Sequence, residues 1–333
     1  MKSETIQFLR RIGISGAIPP KDPDRFDSIS SLKLVEKNKI PLLFLRSLSN
    51  EERKDLEEES ERCEEWHENF LKLASLTSRT LMNEGTEHTF FKTFKPFPYT
   101  PSDVDVLLRD EDSLDRTIDL FEGQRFEPLE RSSYGCTFYS PEHDLNLDLT
   151  TRIDVSGLVY LDKKHVFEET TEKRIKGTKM RTPKPYADLT ITAAHALYKE
   201  QLFTLSDYYT FVIWREHLED VLEFAEKGRI KPAMLWALNL ASEITKSAFG
   251  HDNEILKTID KLLKDEDEGE EWKADEDTFE MPYNCPLSFL AKALVRKMSE
   301  DSKARNTLPK FLKNFADPKT VGEMVNHFDR ETY

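Results

Sequence analysis

Phe90-Phe91-Lys92-Thr93-Phe94-Lys95-Pro96-Phe97-Pro98-Tyr99-Thr100-Pro101-Ser102-Asp103-Val104-Asp105-Val106-Leu107-Leu108 decides how this chain is read. It predicts an apolar strand, a loop stiffened by prolines, and a second strand that opens on Asp103 and Asp105. Residues two apart on a strand share a face, so both carboxylates project together while Val104 and Val106 point the other way. Paired carboxylates repel one another, and a divalent cation is the usual remedy. Leu145-Asn146-Leu147-Asp148-Leu149 alternates in the same way and offers Asp148 as a third acid. Three acids on neighbouring strands outline a two-metal phosphoryl-transfer site.

Around that stretch, the chain of 333 residues is long enough for two or three cores. Its 33% charged and 38% hydrophobic residues fit a soluble globular protein. No apolar run approaches the roughly 18–20 residues that span a bilayer, and the N-terminus lacks the apolar stretch of a signal peptide. Cys63, Cys136 and Cys285 are odd in number and widely spaced, against a disulfide framework or a paired-cysteine zinc site. A cytoplasmic setting is expected. The net charge of −15 tells against indiscriminate binding to nucleic acid. The segment Lys173–Lys184 nevertheless carries Lys173, Arg174, Lys176, Lys179, Arg181 and Lys184 with no acid. That basic strip is either a solvated loop or hairpin edge, or a contact for RNA such as tRNA.

Periodicity divides the chain into three regions. Residues 1–85 read as helical: a short amphipathic helix around Ile6, Leu9 and Ile12, a helix Ile29–Lys37 capped by Asp27 or Ser28, and one long helix from Ser49 to Glu84 that ends at Gly85. Residues 86–184 read as α/β. Strands are expected over His88–Phe94, Val104–Leu108, Phe126–Ser133, Gly135–Tyr139 and Leu145–Ile153, weaker ones over Val155–Tyr160 and Gly177–Arg181, and a helix over Ser113–Gly123. Residues 185–333 read as helical again: Tyr186–Lys199, Ser206–Lys227 with Ser206 as cap, Lys231–Ser247, Asn253–Lys264, Pro286–Glu300 and Leu308–Phe328. An acidic loop or disordered insert is expected over Asp265–Thr278. The fold class expected is α+β, a mixed β-sheet core with helices, flanked by helical regions on both sides.

The acid pattern resembles the nucleotidyltransferases of the DNA polymerase β superfamily. These carry a strand, a Gly-Ser or Gly-Gly pair, a short spacer, an Asp-x-Asp or Asp-x-Glu within an apolar strand, and a third acid on a following strand. Here Lys92-Thr93 stands in the place of the Gly-Ser pair, and nine residues, Phe94 to Ser102, precede Asp103-Val104-Asp105. Asp148 matches the third acid. The wider layout is similar to a branch of uncharacterised prokaryotic nucleotidyltransferases. The similarity lies in Lys39-Ile40-Pro41-Leu42-Leu43, Phe91-Lys92-Thr93, Pro185-Tyr186-Ala187-Asp188-Leu189, His195 and Leu205-Ser206-Asp207. It spans about residues 30–225, with its specific part confined to the two acid strands.

The resemblance implies an enzyme that moves a nucleoside monophosphate from an NTP to a hydroxyl on RNA, a protein or a small molecule. Asp103, Asp105 and Asp148 would hold Mg²⁺, or Mn²⁺, and serve as the catalytic acids. Lys92, Thr93, Lys95 and Lys199 would meet the nucleotide's phosphates. The missing glycine removes the close backbone approach to phosphate that glycine permits. The alternative is a catalytically degenerate nucleotide-binding or interaction protein of the same fold. Read from the residues alone, His195 on its apolar helix is a core histidine, Lys199 a solvated lysine and Asp207 part of a helix cap. No Walker A sequence, Rossmann glycine pattern, Gly-x-Ser-x-Gly elbow or EF-hand loop is present.

Overall fold

Residues 3–14, 17–20, 28–264 and 280–315 are described by a computed structural model. The chain begins with helices α1 (Glu4–Ile12), α2 (Ser28–Lys37), α3 (Pro41–Ser47), α4 (Asn50–Lys54) and α5 (Glu57–Asn83). Strands β1 (His88–Phe90) and β2 (Asp103–Leu108) follow, then α6 (Ser113–Gly123), β3 (Glu127–Ser132), β4 (Gly135–Ser140) and β5 (Leu145–Thr150). Two hairpins flank a short helix: β6 (Ile153–Val155) with β7 (Leu158–Leu161), α7 (Lys163–Glu168), and β8 (Thr170–Ile175) with β9 (Thr178–Pro183). The C-terminal part holds α8 (Pro185–His195), α9 (Leu205–Ile213), α10 (Val221–Lys227), α11 (Lys231–Phe249), α12 (Glu254–Lys264), α13 (Leu287–Glu300) and α14 (Ser302–Phe315).

The expected α+β arrangement is present. Five strands form one mixed sheet in the order β1-β2-β5-β4-β3. Only the β2–β5 pair is parallel; β1–β2, β5–β4 and β4–β3 are antiparallel. Alternation along the strands decides which side chains are hidden. β2 buries Val104 and Val106 and leaves Asp103 and Asp105 half-buried, and β5 buries Leu145, Leu147 and Leu149 while Asn146 and Asp148 are half-buried. The apolar face packs against α5, and Phe121, Phe126 and Phe138 form an edge-to-face cluster beside it. Each fully buried Leu or Phe contributes about 1.5–3 kcal/mol by leaving water. Gly135 lets β4 close onto β5, because a Cβ there would meet the Leu149 carbonyl oxygen at 2.8 Å. The outer strand β3 is exposed along its length and carries Glu127, Glu130 and Arg131, charges that discourage pairing with another edge.

The core is continuous. One buried cluster runs from Ile6 and Phe44 through Leu107 and Leu147 to Trp236 and Ile244, so residues 1–85, 86–184 and 185–333 share it. Among the described residues no helix is long and apolar enough to cross a membrane.

Several boundaries differ from those read in the sequence. The long helix expected from Ser49 is two helices. The capping box of Ser49 and Glu52 starts only α4, and the chain turns at Asp55-Leu56 so that Leu56 reaches the core. Gly85, at φ +66°, follows α5 as expected of a helix stop. The helix expected over Tyr186–Lys199 changes character after His195, where Ala196–Glu200 form a π turn that ends at Gln201 in the left-handed region. The helix expected over Ser206–Lys227 is broken into α9, a 3₁₀ turn at Arg215–Asp220, and α10. Its cap is Thr204 rather than Ser206: Thr204 accepts from the Asp207 N–H, and Asp207 accepts from the Thr204 N–H. Helix α7 was not expected; Asp162 caps it. The expected cap at Asp27, the acidic segment Asp265–Thr278 and the end of the last helix beyond Phe315 lie outside the described residues.

Candidate functional site

The parallel pairing of β2 and β5 brings the acids together. Asp105 and Asp148 are register partners on adjacent strands, and Asp103 stands opposite Asn146 on the same face. Adjacent strands lie about 4.8 Å apart, so carboxylates in register are near neighbours. Burial raises the Asp103 carboxyl to about 7, with the charges of Asp105 and Asp148 adding to it and Lys92 and Lys39 opposing. Burial likewise raises Asp148, helped by Asp105 and opposed by the Thr137 hydroxyl, Lys199 and Lys92. The Oδ1 of Asp148 is buried and has no hydrogen-bond partner. Three carboxyl groups crowded on one face, one of them with an orphaned oxygen, suit a cation.

Lys92 supplies one such cation. Its Nζ lies 3.3 Å from Oδ1 and 3.3 Å from Oδ2 of Asp105. The backbone that carries it is fixed: Lys92 has φ +60°, and its N–H donates to Oδ1 of the buried Asp188 at 2.8 Å. Burial raises the Asp188 carboxyl to about 6 against the pull of that N–H and of Lys173, Lys95 and Lys92. The ammonium also lies 3.4 Å from Nδ1 of His195. Burial and then Lys92 depress the His195 imidazole to about 4, although Glu200 favours its protonation. At neutral pH the ring is therefore neutral. Because Lys92 can only donate, Nδ1 accepts, and Nε2–H faces Oε1 of Glu200 at 2.9 Å. The π turn that follows His195 is what places Glu200 there.

The loop between β1 and β2 contains no helix or strand, as its prolines require. Helix α5 pins it: Trp66 Nε1 donates to the Pro101 carbonyl at 2.6 Å, and His67 Nδ1 lies 2.9 Å from the Tyr99 carbonyl. Within this loop Lys95 approaches Oδ1 of Asp207 at 3.6 Å and the Thr210 hydroxyl at 3.4 Å. Thr93 is turned the other way. Its hydroxyl is buried, 2.8 Å from the Asp105 carbonyl and 3.1 Å from that of Phe91, so it braces the loop against β2 and does not face the cleft.

Lys199 reaches the acids from the π turn. Although packing opposes its charge, Asp105, Glu200, Asp148 and Asp103 outweigh that and hold its ammonium above the ordinary lysine value. Among the described residues it forms no ion pair.

These groups line one cleft of connected recesses. A recess of about 110 Å³ contains Lys39, Lys92, Lys95, Asp103, Asp105 and Lys199. A second of about 190 Å³ shares Lys92, Asp105 and Lys199 and adds Asp148, Arg152 and Asp154. A third, about 240 Å³, joins the first at Lys39 and Ser102 and is walled by Trp66 and Arg62. The acids thus stand between a lysine-rich recess and a mixed one.

Sequence reasoning gave Lys39 no role. It is drawn to the cleft by a left-handed backbone, φ +57°, after α2. Burial lowers its ammonium while Glu200, Asp103 and Asp207 sustain it. Asp154, whose carboxyl burial raises, was also missed; no pattern in β6 marks it. Asp188 belonged to a helix start, and only the fold reveals that it holds Lys92.

The basic strip lies on the β8–β9 hairpin and is largely neutralised there. Lys176 pairs with Glu68, Lys179 with Glu172, Arg181 with Glu87 and Lys184 with Glu169, and Lys173 sits over the Trp214 ring. Four of the six basic side chains of the strip are thus paired with acids.

No protein-family model and no curated protein matches this chain. One solved structure is similar: an antigenic nucleotidyltransferase-like protein from Paracoccidioides brasiliensis, at 11% identity over 60% of this chain and 88% of that one, with a TM-score of 0.29. A TM-score that low leaves the geometry of the cleft as the basis for a functional reading.

The residues suit a hard divalent cation. Carboxylate oxygens are its preferred ligands, and the orphaned Asp148 Oδ1 is a ready donor. Among the described residues no set of three or more His, Cys, Asp or Glu side chains is already gathered for an ion, and Lys92 stands on Asp105 instead.

Proposed function

We propose that this protein is a Mg²⁺-dependent nucleotidyltransferase that moves a nucleoside monophosphate from an NTP to a hydroxyl acceptor. One observation carries the reading: Asp105 and Asp148 are in register on parallel strands, with Asp103 on the same face, in a cleft whose other wall is lysine. Asp103, Asp105 and Asp148 would hold Mg²⁺, or Mn²⁺, which when bound neutralises triphosphate charge and acidifies an acceptor hydroxyl. Lys199, Lys95 and Lys39 place ammonium groups where the triphosphate enters, and they stabilise the charge that grows on the departing pyrophosphate. Loop 91–102, held by Trp66 and His67, fixes the backbone that carries Lys92 and Lys95 relative to β2 before the nucleotide arrives. Thr93 supports that loop and does not contact phosphate. The recess that contains Asp148 and Arg152, about 190 Å³, leaves room beside the acids for an acceptor. A cytoplasmic setting, with Cys63, Cys136 and Cys285 free and buried, goes with this proposal.

Calorimetric titration with Mg²⁺ and each NTP tests it. Binding is expected in the wild type, abolished by EDTA and weakened at least about tenfold in Asp105→Asn. Binding that ignores both EDTA and the substitution removes the basis of the proposal.

A second reading has one observation in its favour. Lys92 standing on Asp105 suits a protein that binds nucleotide without transferring it. Nucleotide binding without transfer to any acceptor is what that reading expects.

A further inference from the structure

We propose that Lys92 is a tethered counter-ion: it neutralises Asp105 while no divalent ion is bound, and ion entry displaces it onto the phosphates of the nucleotide. The proposal rests on the nucleotidyltransferase reading and assigns a role to the residue that stands where a glycine was expected.

The position of the ammonium is the first argument. It is equally far, 3.3 Å, from the two Asp105 oxygens and so straddles the carboxylate as a bound cation does. A hard divalent ion coordinates carboxylate oxygens at about 2.0–2.6 Å. An ion held by both Asp105 oxygens would fall in the wedge the ammonium occupies, and two positive charges at that separation repel strongly. Lys92 must leave if the ion enters.

The cradle is the second argument, because it is assembled from separate parts of the chain. Asp188 on α8 takes the Lys92 N–H at 2.8 Å and holds a left-handed backbone that few non-glycine residues adopt. His195, neutral and held by Glu200, presents Nδ1 to the ammonium at 3.4 Å. The Phe91 ring lies 4.9 Å from it. A flexible surface lysine has no need of such support. The backbone stays anchored while the side chain swings, and the swing has a destination: Lys92 also lines the recess it shares with Lys95 and Lys199, where phosphate oxygens would replace Asp105 as acceptors. Nucleotide and metal are then linked, each favouring the state that admits the other.

The test reads metal affinity, not turnover. Mn²⁺ is titrated calorimetrically into the wild type, Lys92→Met and Lys92→Arg, each with and without NTP. Without NTP, Lys92→Met is expected to bind Mn²⁺ roughly ten- to a hundredfold more tightly than the wild type, the range set by losing one charge-assisted contact. Lys92→Arg keeps a cation on Asp105 and stays within a few-fold of the wild type. In the wild type itself, lysine acetylation read by mass spectrometry is expected to rise at Lys92 when Mn²⁺ is added and to fall when NTP follows. This second measurement needs no variant to fold. Mn²⁺ bound by the wild type with NTP, but no more tightly by Lys92→Met without it, overturns the counter-ion role alone. Unchanged Lys92 acetylation at saturating Mn²⁺ does the same. Mn²⁺ bound by none of the proteins, with or without NTP, overturns the functional reading beneath it.

Discussion

Replacing Asp188 with asparagine removes a buried charge while keeping the oxygen that accepts the Lys92 N–H, and the consequence can be worked out from the structure. The folded carboxyl lies at about 6 against an ordinary 3.8, raised by burial. An acid raised on folding holds its proton more tightly in the folded state, so its contribution to stability is full below about pH 4 and is lost as pH rises through 6. The shift of about 2 units corresponds to about 3 kcal/mol at pH 7, an upper value because nearby lysines relax when the charge goes. Asp188→Asn is therefore expected to be more stable than the wild type at pH 7, by up to about 3 kcal/mol, and nearly equal to it at pH 4. Urea denaturation in EDTA from pH 4 to pH 8 measures that gap. Asp188→Ala, which leaves the Lys92 N–H unpaired, should show a smaller gain or a loss. A gap that is the same at every pH, or a wild type that is the more stable at pH 7, refutes the reasoning.

The remaining predictions concern the supports of the cleft. Thr93→Val deletes a hydroxyl used only inside the fold, so it should lower stability by about 1 kcal/mol and leave Mg²⁺–NTP affinity within about twofold; calorimetry and thermal melts check both. Thr204→Ala removes half of the capping box of α9 and should cost about 1 kcal/mol, measured by urea denaturation. Leu147→Ala empties a fully buried site behind Asp148 and should cost about 2–5 kcal/mol by the same measurement, an effect absent if β5 does not pack under α5.

What could be read in the sequence was what depends on local period. The alternation in Asp103–Leu108 and Leu145–Thr150 sufficed to place both strands and to put the acids on one face, because a half-buried strand cannot shift by one residue without exposing its leucines. The breaks were hidden for the opposite reason. Asp55-Leu56 and Arg215–Asp220 carry residues compatible with a helix, and burial of Leu56 and Leu218 by distant parts of the chain overrides that preference. The π turn at Ala196–Glu200 has no signal in its residues, yet it brings Glu200 to His195. Lys39, Asp154 and Asp188 were illegible as site residues because their relation to the acids is made by tertiary packing alone. Thr93 illustrates the converse. Its position beside Lys92 suggested a phosphate contact, but the fold turns its hydroxyl to the Asp105 and Phe91 carbonyls while Lys92 lines the cleft.

Incubation of the protein with each α-labelled NTP, Mg²⁺ and candidate acceptors, total cellular RNA first, tests the central claim most directly. Label is expected to pass to an acceptor with release of pyrophosphate, and Asp105→Asn and Asp148→Asn are each expected to abolish the transfer. Transfer undiminished in either variant would contradict it.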